Sequence, residues 1–352
     1  MKKILFYSHT IDFAGTWRSH ERILLNLNKD LFDVYVFYNP NQINNRLDFI
    51  IEILGHDKVI PFSASFDKES SITGYKYRET NFSEIVKSMN FDIIHFARGG
   101  YYEWPFIERI APLQIETNIF GFRDSSEYLD ISVTICNKVN EIRGTSDYII
   151  YNPIPLPLES NENLRSELNI PENYHIFGRI GRKANFDPIA IESINIVKKM
   201  GYKFKYIIIG ACDNTINLIN RLNLSDDCII IDTTNDDDFI HRFNNTIEIF
   251  LHYRSDGECH STAIAQSLMY GVPVISHYAG YNGQEETIRD GGYVAKNVTD
   301  STDYLIKLLN NRDLYNEVSN KAKIRGMDFE QSKIVKEWEK IYIEESNKIE
   351  KI

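Results

Sequence analysis

The chain has 352 residues, 43% hydrophobic and 25% charged, enough for about two domains that each bury a core without a metal or disulfide staple. Acidic residues outnumber basic ones by 50 to 39, a net charge of −11, which argues against a general nucleic-acid binder but leaves room for a local basic pocket. The four cysteines, Cys136, Cys212, Cys228 and Cys259, share no CxxC spacing, so they read as reduced, buried residues rather than a zinc ribbon or redox pair.

Strand and helix patterns alternate from the start. The first apolar run, ILFYS over 4–8, is too short for a signal-peptide core or a membrane span, and no later run reaches roughly 18 residues, so a soluble cytoplasmic protein is expected. That run and VYVFY over 34–38 predict strands. Between them, His20 to Lys29 places Ile23, Leu24 and Leu27 on one helical face. Further strands are predicted over 58–61, 92–96, 114–117, 131–136 and 148–151, and such near-continuous apolar runs suit a parallel sheet covered on both faces. Pro153, Pro155 and Pro157 then predict a linker, because proline cannot donate to a sheet and biases its neighbour away from helix.

Beyond the linker the alternation restarts. Strands are predicted over 176–179, 206–210, 228–232, 247–252 and 272–276, and helices over 188–200, 215–222, 238–244, 261–270, 302–310 and 312–325. Ile334, Val335, Trp338, Ile341 and Tyr342 form one apolar stripe, predicting an amphipathic C-terminal helix. The expected fold class is α/β, with two Rossmann-like doubly wound domains facing a cleft, and ligands in such sheets bind at the carboxyl ends of the strands. The expected domains span 1–152 and 153–328, with 329–352 forming the last helix.

The stretch RSDGECHSTAIAQSLMYGVPVIS, Arg254 to Ser276, carries the clearest chemistry. A polar, glycine-containing loop feeds a helix that ends at Gly271. A helix start offers unpaired backbone N–H groups and the positive end of the helix dipole, and Ser255, Gly257, Glu258, Ser261 and Thr262 would sit there. That suits diphosphate oxygens and sugar hydroxyls. Ser261 or Thr262 and Gly271 also read as the caps of an ordinary helix.

This stretch resembles the signature of family-4 retaining glycosyltransferases with the GT-B fold: a Glu, seven residues, a second Glu, then Ala-Met-Ala-x-Gly-x-Pro-Val-Ile. Glu258 takes the first position, and QSLMYGVPVIS follows from Gln266, with an amide in place of the second carboxylate. Downstream, Gly280 and EETIRDGGYVA resemble a further family segment, with Glu286 and Asp290 on its acidic positions. FGRIGRKANFD, from Phe177, resembles the Gly-Arg and Lys that hold the donor diphosphate. Gly178, Arg179 and Lys183 match, with Arg182 as an extra cation, and the short spacing leaves open which arginine reaches the phosphates. YIIIGACDN resembles the strand ending in Gly-x-Gly, with Gly210 kept and Cys212 replacing the second glycine. In the first half, Gly15 resembles the glycine-rich loop, FDIIHFARGG resembles the strand that carries His95, and WEKIY resembles the final helix that crosses back onto the N-terminal domain. Where the family often has a His after a later strand, this chain has Asn118.

The resemblance implies a cytoplasmic glycosyltransferase of polysaccharide biosynthesis. It would move a hexose from a nucleotide-diphosphate donor to a hydroxyl of a glycan or lipid-linked acceptor, with retention and with no metal or other cofactor. Glu258, Arg179 and Lys183 would act at the reacting centre. Gly178, Arg182, Gly210, Ser261, Thr262, Gln266 and Glu286 would hold the donor, and Gly15, His95 and Asn118 would lie on the acceptor side. The expected partners are the nucleotide sugar and the acceptor, with no nucleic acid and weak peripheral membrane association. Two alternatives share the pattern: a GT-B nucleotide-sugar 2-epimerase, and a non-catalytic binding subunit, which Gln266 favours.

Weaker signals are set aside. Asp236-Asp237-Asp238 spells the Asp-x-Asp of metal-dependent enzymes, but it lies where acidic residues cap a helix start. His252, Cys259 and His260 match no zinc spacing. Lys198, Lys199, Lys203 and Lys205 read as a solvated face, and Tyr101, Tyr102 and Trp104 as loop aromatics that could stack on a sugar.

Overall fold

A computed structural model describes residues 1–8, 15–38, 40, 46–62, 64–69, 76–98, 108–182, 188–234 and 236–349. The chain divides into two compact units, Met1–Pro153 with Gln331–Ile352, and Ile154–Glu330.

The first unit runs β1 (Lys2–Ser8), α1 (Gly15–Leu24), β2 (Phe32–Tyr38), α2 (Arg46–Leu54), β3 (Val59–Pro61), the antiparallel pair β4 (Ala64–Glu69) and β5 (Lys76–Thr80), α3 (Phe82–Met89), β6 (Ile93–Arg98), β7 (Leu113–Asn118), β8 (Ile131–Thr134), α4 (Asn137–Arg143) and β9 (Tyr148–Ile149). Seven strands pair in parallel in the order β3-β2-β1-β6-β7-β8-β9. β1 shows why an unbroken apolar run suits this place. Ile4 and Phe6 face one cluster with Trp17, Ile23 and Leu24, while Leu5 and Tyr7 face the other with Phe62, Phe82 and Phe96. α1 starts earlier than its apolar spacing predicts and stops at Leu24. The asparagines beyond it bond locally, Asn26 Nδ2 to the Arg22 carbonyl at 2.8 Å and Asn28 Oδ1 to the Asp30 N–H at 2.9 Å, in competition with the helix ladder.

β7 is buried at every position, yet Gln114, Glu116 and Asn118 alternate along one face. Residues 119–130, which form no helix, cover that face, and the polar side chains hold them. Gln114 Nε2 donates to the Tyr128 carbonyl at 2.7 Å, and Glu116 Oε1 accepts from the Asp124 N–H at 3.1 Å and the Ser132 hydroxyl at 2.7 Å.

The second unit runs β10 (His175–Ile180), α5 (Ile189–Lys199), β11 (Phe204–Ile209), α6 (Asp213–Arg221), β12 (Cys228–Ile231), α7 (Asp237–Thr246), β13 (Ile249–Leu251), α8 (Thr262–Met269), β14 (Val274–His277), α9 (Gly283–Ile288), β15 (Gly292–Ala295), α10 (Val298–Asn310) and α11 (Arg312–Gly326). Its six strands are all parallel, ordered β12-β11-β10-β13-β14-β15. The order reverses between β10 and β13, and a doubly wound sheet binds ligands outside the carboxyl ends of the strands at such a switch point. Phe177, Tyr206, Ile208, Ile249 and Leu251 pack there beneath Ile191, Ile194, Leu305 and Leu308. The fold class is therefore the expected one, two Rossmann-like doubly wound units.

The last helix, α12 (Gln331–Ile349), belongs to the first unit and buries Ile334, Val335, Trp338, Ile341 and Tyr342 in its core. His95, expected on the acceptor side, is instead fully buried in that core. Its Nδ1 bonds the Tyr342 hydroxyl at 2.6 Å, its Nε2 bonds the Thr117 hydroxyl at 2.7 Å, and the rings of His20 and Trp338 each lie 4.5 Å away. With both nitrogens used inside the unit, its role there is packing.

Burial pushes the His20 imidazole down to about 3, and neither of its ring nitrogens has a hydrogen-bond partner among the described residues. The folded state keeps the ring neutral, whereas the unfolded chain takes a proton near the ordinary value of about 6.5. The contribution of this group is intact above about pH 6.5 and is lost below it, by up to ~1.4 kcal/mol per pH unit. His20→Leu should therefore flatten the fall of the urea midpoint between about pH 7 and about pH 5. Equal slopes in variant and wild type would place the acid sensitivity elsewhere.

Candidate functional site

The loop after β13, from His252 to Ser261, sits at the carboxyl end of the sheet beside the switch point. Ser261 caps α8, its hydroxyl accepting the Ile264 N–H at 3.3 Å, so α8 presents its first amides beside this loop. Glycines set the loop's path. Gly257 has φ +72°, and a Cβ there would lie 1.9 Å from the Ala279 carbonyl oxygen. Gly280 has φ +54°, and its Cβ would lie 1.9 Å from the Asp256 carbonyl oxygen. The two glycines form an antiparallel bridge. Next to it, the Gly283 N–H donates to the Glu258 carbonyl at 2.8 Å. The buried Gln284 accepts the Glu258 N–H at 3.1 Å and donates to the His277 carbonyl at 2.7 Å and the Ala279 carbonyl at 3.2 Å. The loops after β13 and β14 are thus clamped backbone to backbone, and Glu258 is held at the clamp.

The Glu258 carboxylate lies 3.2 Å from Arg254 Nη1 and 3.4 Å from His252 Nε2, both at Oε1. Burial pushes its carboxyl up, but the hydrogen bond and charge of His252, together with Arg254, outweigh that and hold it below the usual range. Arg254 also forks onto Asp256, Nε to Oδ1 at 2.5 Å and Nη2 to Oδ2 at 2.7 Å. The Asp256 bond, against burial and aided by Glu258, raises the guanidinium pKa, so this cation is permanent. His252 is buried, with Nδ1 at 3.3 Å from the Ser276 hydroxyl and Nε2 at 3.5 Å from the Ser261 hydroxyl.

The two arginines left open by the sequence differ in placement. Arg179, in β10, is buried, and its Nη2 donates to the Tyr253 carbonyl at 3.5 Å, across the switch point. A Cβ on Gly181 would lie 3.1 Å from that nitrogen, so this glycine leaves room for the guanidinium. Arg182 follows Gly181 and is exposed, while Lys183 lies outside the described residues. Gly178, expected to touch the donor, is required by packing: a Cβ there would lie 2.5 Å from Ile247 Cγ2 and 2.6 Å from Phe243 Cζ. Gly210 has φ +79°, and its Cβ would lie 2.1 Å from the Gly181 carbonyl oxygen, so it lets the turns after β10 and β11 meet.

Thr262 and Gln266, partly buried, stand one turn apart on α8. Glu286 is buried on α9, where its carbonyl accepts Arg325 Nη2 at 2.8 Å. In the first unit, Gly15 opens α1. Asn118 ends β7 in register with Thr134, and the Asn118 Nδ2 and Oδ1 and the Thr134 Oγ1 are buried without hydrogen-bond partners among the described residues. Tyr101, Tyr102 and Trp104 lie outside the described residues. Asp236 is the N-cap of α7, accepting the N–H groups of Asp238 at 3.0 Å and Phe239 at 3.2 Å. A cavity of about 280 Å³ opens at the ends of β11 and β12, lined by Cys212, Asp213, Ile216, Ile230 and Asp232 among others. Among the described residues, no three His, Cys, Asp or Glu are grouped to hold a metal, and no helix is long and apolar enough to cross a membrane.

The sequence reading missed Arg254 as a partner of Glu258, and it missed Gln284. The spacing of Gly280 and Gly283 around the loop was their one signal.

Residues 160–325 match the family model for glycosyl transferases group 1. An uncharacterized glycosyltransferase of Haemophilus influenzae is 24% identical over 376 residues, covering 97% of this chain and all of that protein. Among solved structures, a glycosyltransferase from Rickettsia africae superposes with a TM-score of 0.73 at 17% identity, over 97% of this chain and 98% of that one. HepE of Anabaena, solved in complex with UDP and glucose, gives 0.72 at 14% identity, over 97% and 99%. The fold is that of the GT-B glycosyltransferase structures it superposes on, and the family-model match lies within the second unit.

The clamp predicts the cost of breaking it. Gly257→Ala adds a Cβ where none fits, at a φ that disfavours it, and should cost more than about 1 kcal/mol. The melting temperature of the variant measures this, and an unchanged value would mean that the two loops do not need their close approach.

Proposed function

We propose that the protein is a cytoplasmic, retaining glycosyltransferase that moves a sugar from a nucleoside-diphosphate donor, held mainly by the second unit, to a hydroxyl of a glycan or lipid-linked acceptor, without a divalent metal. The observation that carries this reading is Glu258, clamped in the switch-point loop beside the start of α8 and ion-paired with Arg254, with the buried Arg179 reaching the Tyr253 carbonyl of the same segment.

The chemistry is charge management. As the bond from the anomeric carbon to the diphosphate oxygen lengthens, the diphosphate gains negative charge and the sugar becomes oxocarbenium-like. Arg179 and Arg182, with Lys183, supply fixed positive charge, and the first amides of α8 add theirs. The proton of the incoming hydroxyl passes to a diphosphate oxygen as the new carbon–oxygen bond forms on the same face, which is retention. Glu258 accepts from hydroxyls of the donor sugar and orients the ring. Gln266, one turn into α8, accepts from the ribose through its amide oxygen. The cavity at the ends of β11 and β12 has the size and mixed lining for a nucleobase. UDP, bound by HepE of Anabaena, is the first ligand to try.

Gln266 supports a second reading, a non-catalytic subunit, because an amide brings no charge to the ribose position. Such a subunit would show no transfer or donor hydrolysis.

Glu258→Ala should lower turnover by at least about tenfold while leaving the melting temperature of the free protein nearly unchanged. Unaltered turnover would remove Glu258 from the site. Activity should survive excess EDTA, and a strict need for added Mg²⁺ or Mn²⁺ would overturn the metal-free mechanism.

A further inference from the structure

Glu258 spends its two side-chain contacts on one oxygen. Arg254 Nη1 and His252 Nε2 both reach Oε1, and no partner among the described residues reaches Oε2. The side chain keeps 18% of its surface exposed. Arg254 is in turn immobilised, since its Nε and Nη2 fork onto Asp256, the residue just before the Gly257–Gly280 bridge. Two carboxylates therefore neutralise Arg254 and occupy all three of its nitrogens. It is not free to grip a diphosphate, as an exposed arginine such as Arg182 is.

We propose that Arg254 is a positioning residue that, together with His252, pins Oε1 of Glu258 and so presents Oε2 alone, in one orientation, to a hydroxyl of the donor's sugar. This rests on the donor-binding role given to Glu258 above. A glutamate carboxylate on three unconstrained torsions would lose that freedom on binding, whereas one already pinned by a fixed guanidinium has lost it in the fold. The arrangement acts on the sugar and not on the nucleotide. It favours donors whose hydroxyl meets Oε2 and does nothing for the free diphosphate.

The test uses the full chain as wild type, Arg254→Met, Arg254→Lys, Glu258→Ala and the double variant Arg254→Met with Glu258→Ala. UDP, GDP, ADP and dTDP, each alone and as its glucose, galactose and N-acetylglucosamine conjugates, are screened by thermal shift. The pair that binds wild type is then titrated by calorimetry. Arg254→Met should weaken the nucleotide sugar by about tenfold, the scale of one charged hydrogen bond, and leave the free diphosphate within about twofold. Arg254→Lys should recover part of the loss and carries the comparison if the methionine variant does not fold. The double variant should bind no worse than Glu258→Ala alone, because Arg254 acts through that carboxylate. If Glu258→Ala loses the sugar and Arg254→Met keeps it, the positioning role is overturned and the donor site stands. Equal losses for sugar and free diphosphate in Arg254→Met would also overturn it, as a general structural defect. Wild type binding none of the pairs would overturn the donor site and this inference together.

Discussion

The candidate site depends on a distance that only glycine permits. Two strands of the second sheet end side by side, and the loops beyond them must meet with carbonyl oxygens where Cβ atoms would otherwise be. Gly257 and Gly280 make that contact, and Gly283 and Gln284 close it with hydrogen bonds to Glu258 and to the turn after β14. The carboxylate on this loop is therefore placed by main-chain contacts. Side chains then tune its charge and direction. Placement by main-chain contacts is the kind of constraint that electrostatic preorganisation requires.

Charge is sorted by burial in the same small region. The chain is acidic overall, yet its cations near the switch point divide into two kinds. Arg254 is saturated by Asp256 and Glu258, so it shapes a carboxylate. Arg179 reaches across the sheet toward Tyr253, and Arg182 stands exposed beyond Gly181. On the proposed reading the leaving diphosphate is met by cations other than Arg254, whose three nitrogens are taken by Asp256 and Glu258. A sugar hydroxyl needs a carboxylate that stays ionised in spite of its burial. On that reading the two tasks fall to different arginines.

Much of this was legible in the sequence, for definable reasons. Strands buried on both faces announce themselves as apolar runs, so the parallel sheets could be read directly; capping residue types marked helix starts near Ser261 or Thr262 and at the Asp236–Asp238 run, and the structure puts the caps at Ser261 and Asp236. Short elements could not. α9 and β15 span only a few residues each, and in α9 the helix geometry is secured from outside, by Arg325 on the carbonyls of Glu286 and Thr287. β7 hid a polar face because its glutamine and glutamate bind a covering loop rather than water. The packing around Gly178 and His95 was not legible, for a shared reason. A motif gives a residue's place along the chain but not the side of the sheet its Cβ faces, and there Phe243 and Ile247 exclude a side chain at one, while Tyr342 and Thr117 engage the other. Arg254, Asp256 and Glu258 were visible as residues, but the pairing of Arg254 with both carboxylates depends on a turn that the sequence does not spell out.

The first unit's dependence on its last helix follows from the same buried imidazole. His95 and Tyr342 are separated by 247 positions, and all of the second unit's sequence lies between them. Closing a loop that long costs only modestly more entropy than closing a short one, because the cost grows with the logarithm of length. Folding the intervening residues into their own core shortens the effective loop further. Trp338 and Tyr342 can then cover His95 and Phe6, replacing water on a sheet face that would otherwise expose two aromatic-sized surfaces. The helix that ends the chain is thus a structural part of the first sheet's core. His20, held neutral against it, makes that core sensitive to protons at a place far in sequence from the loop that carries Glu258.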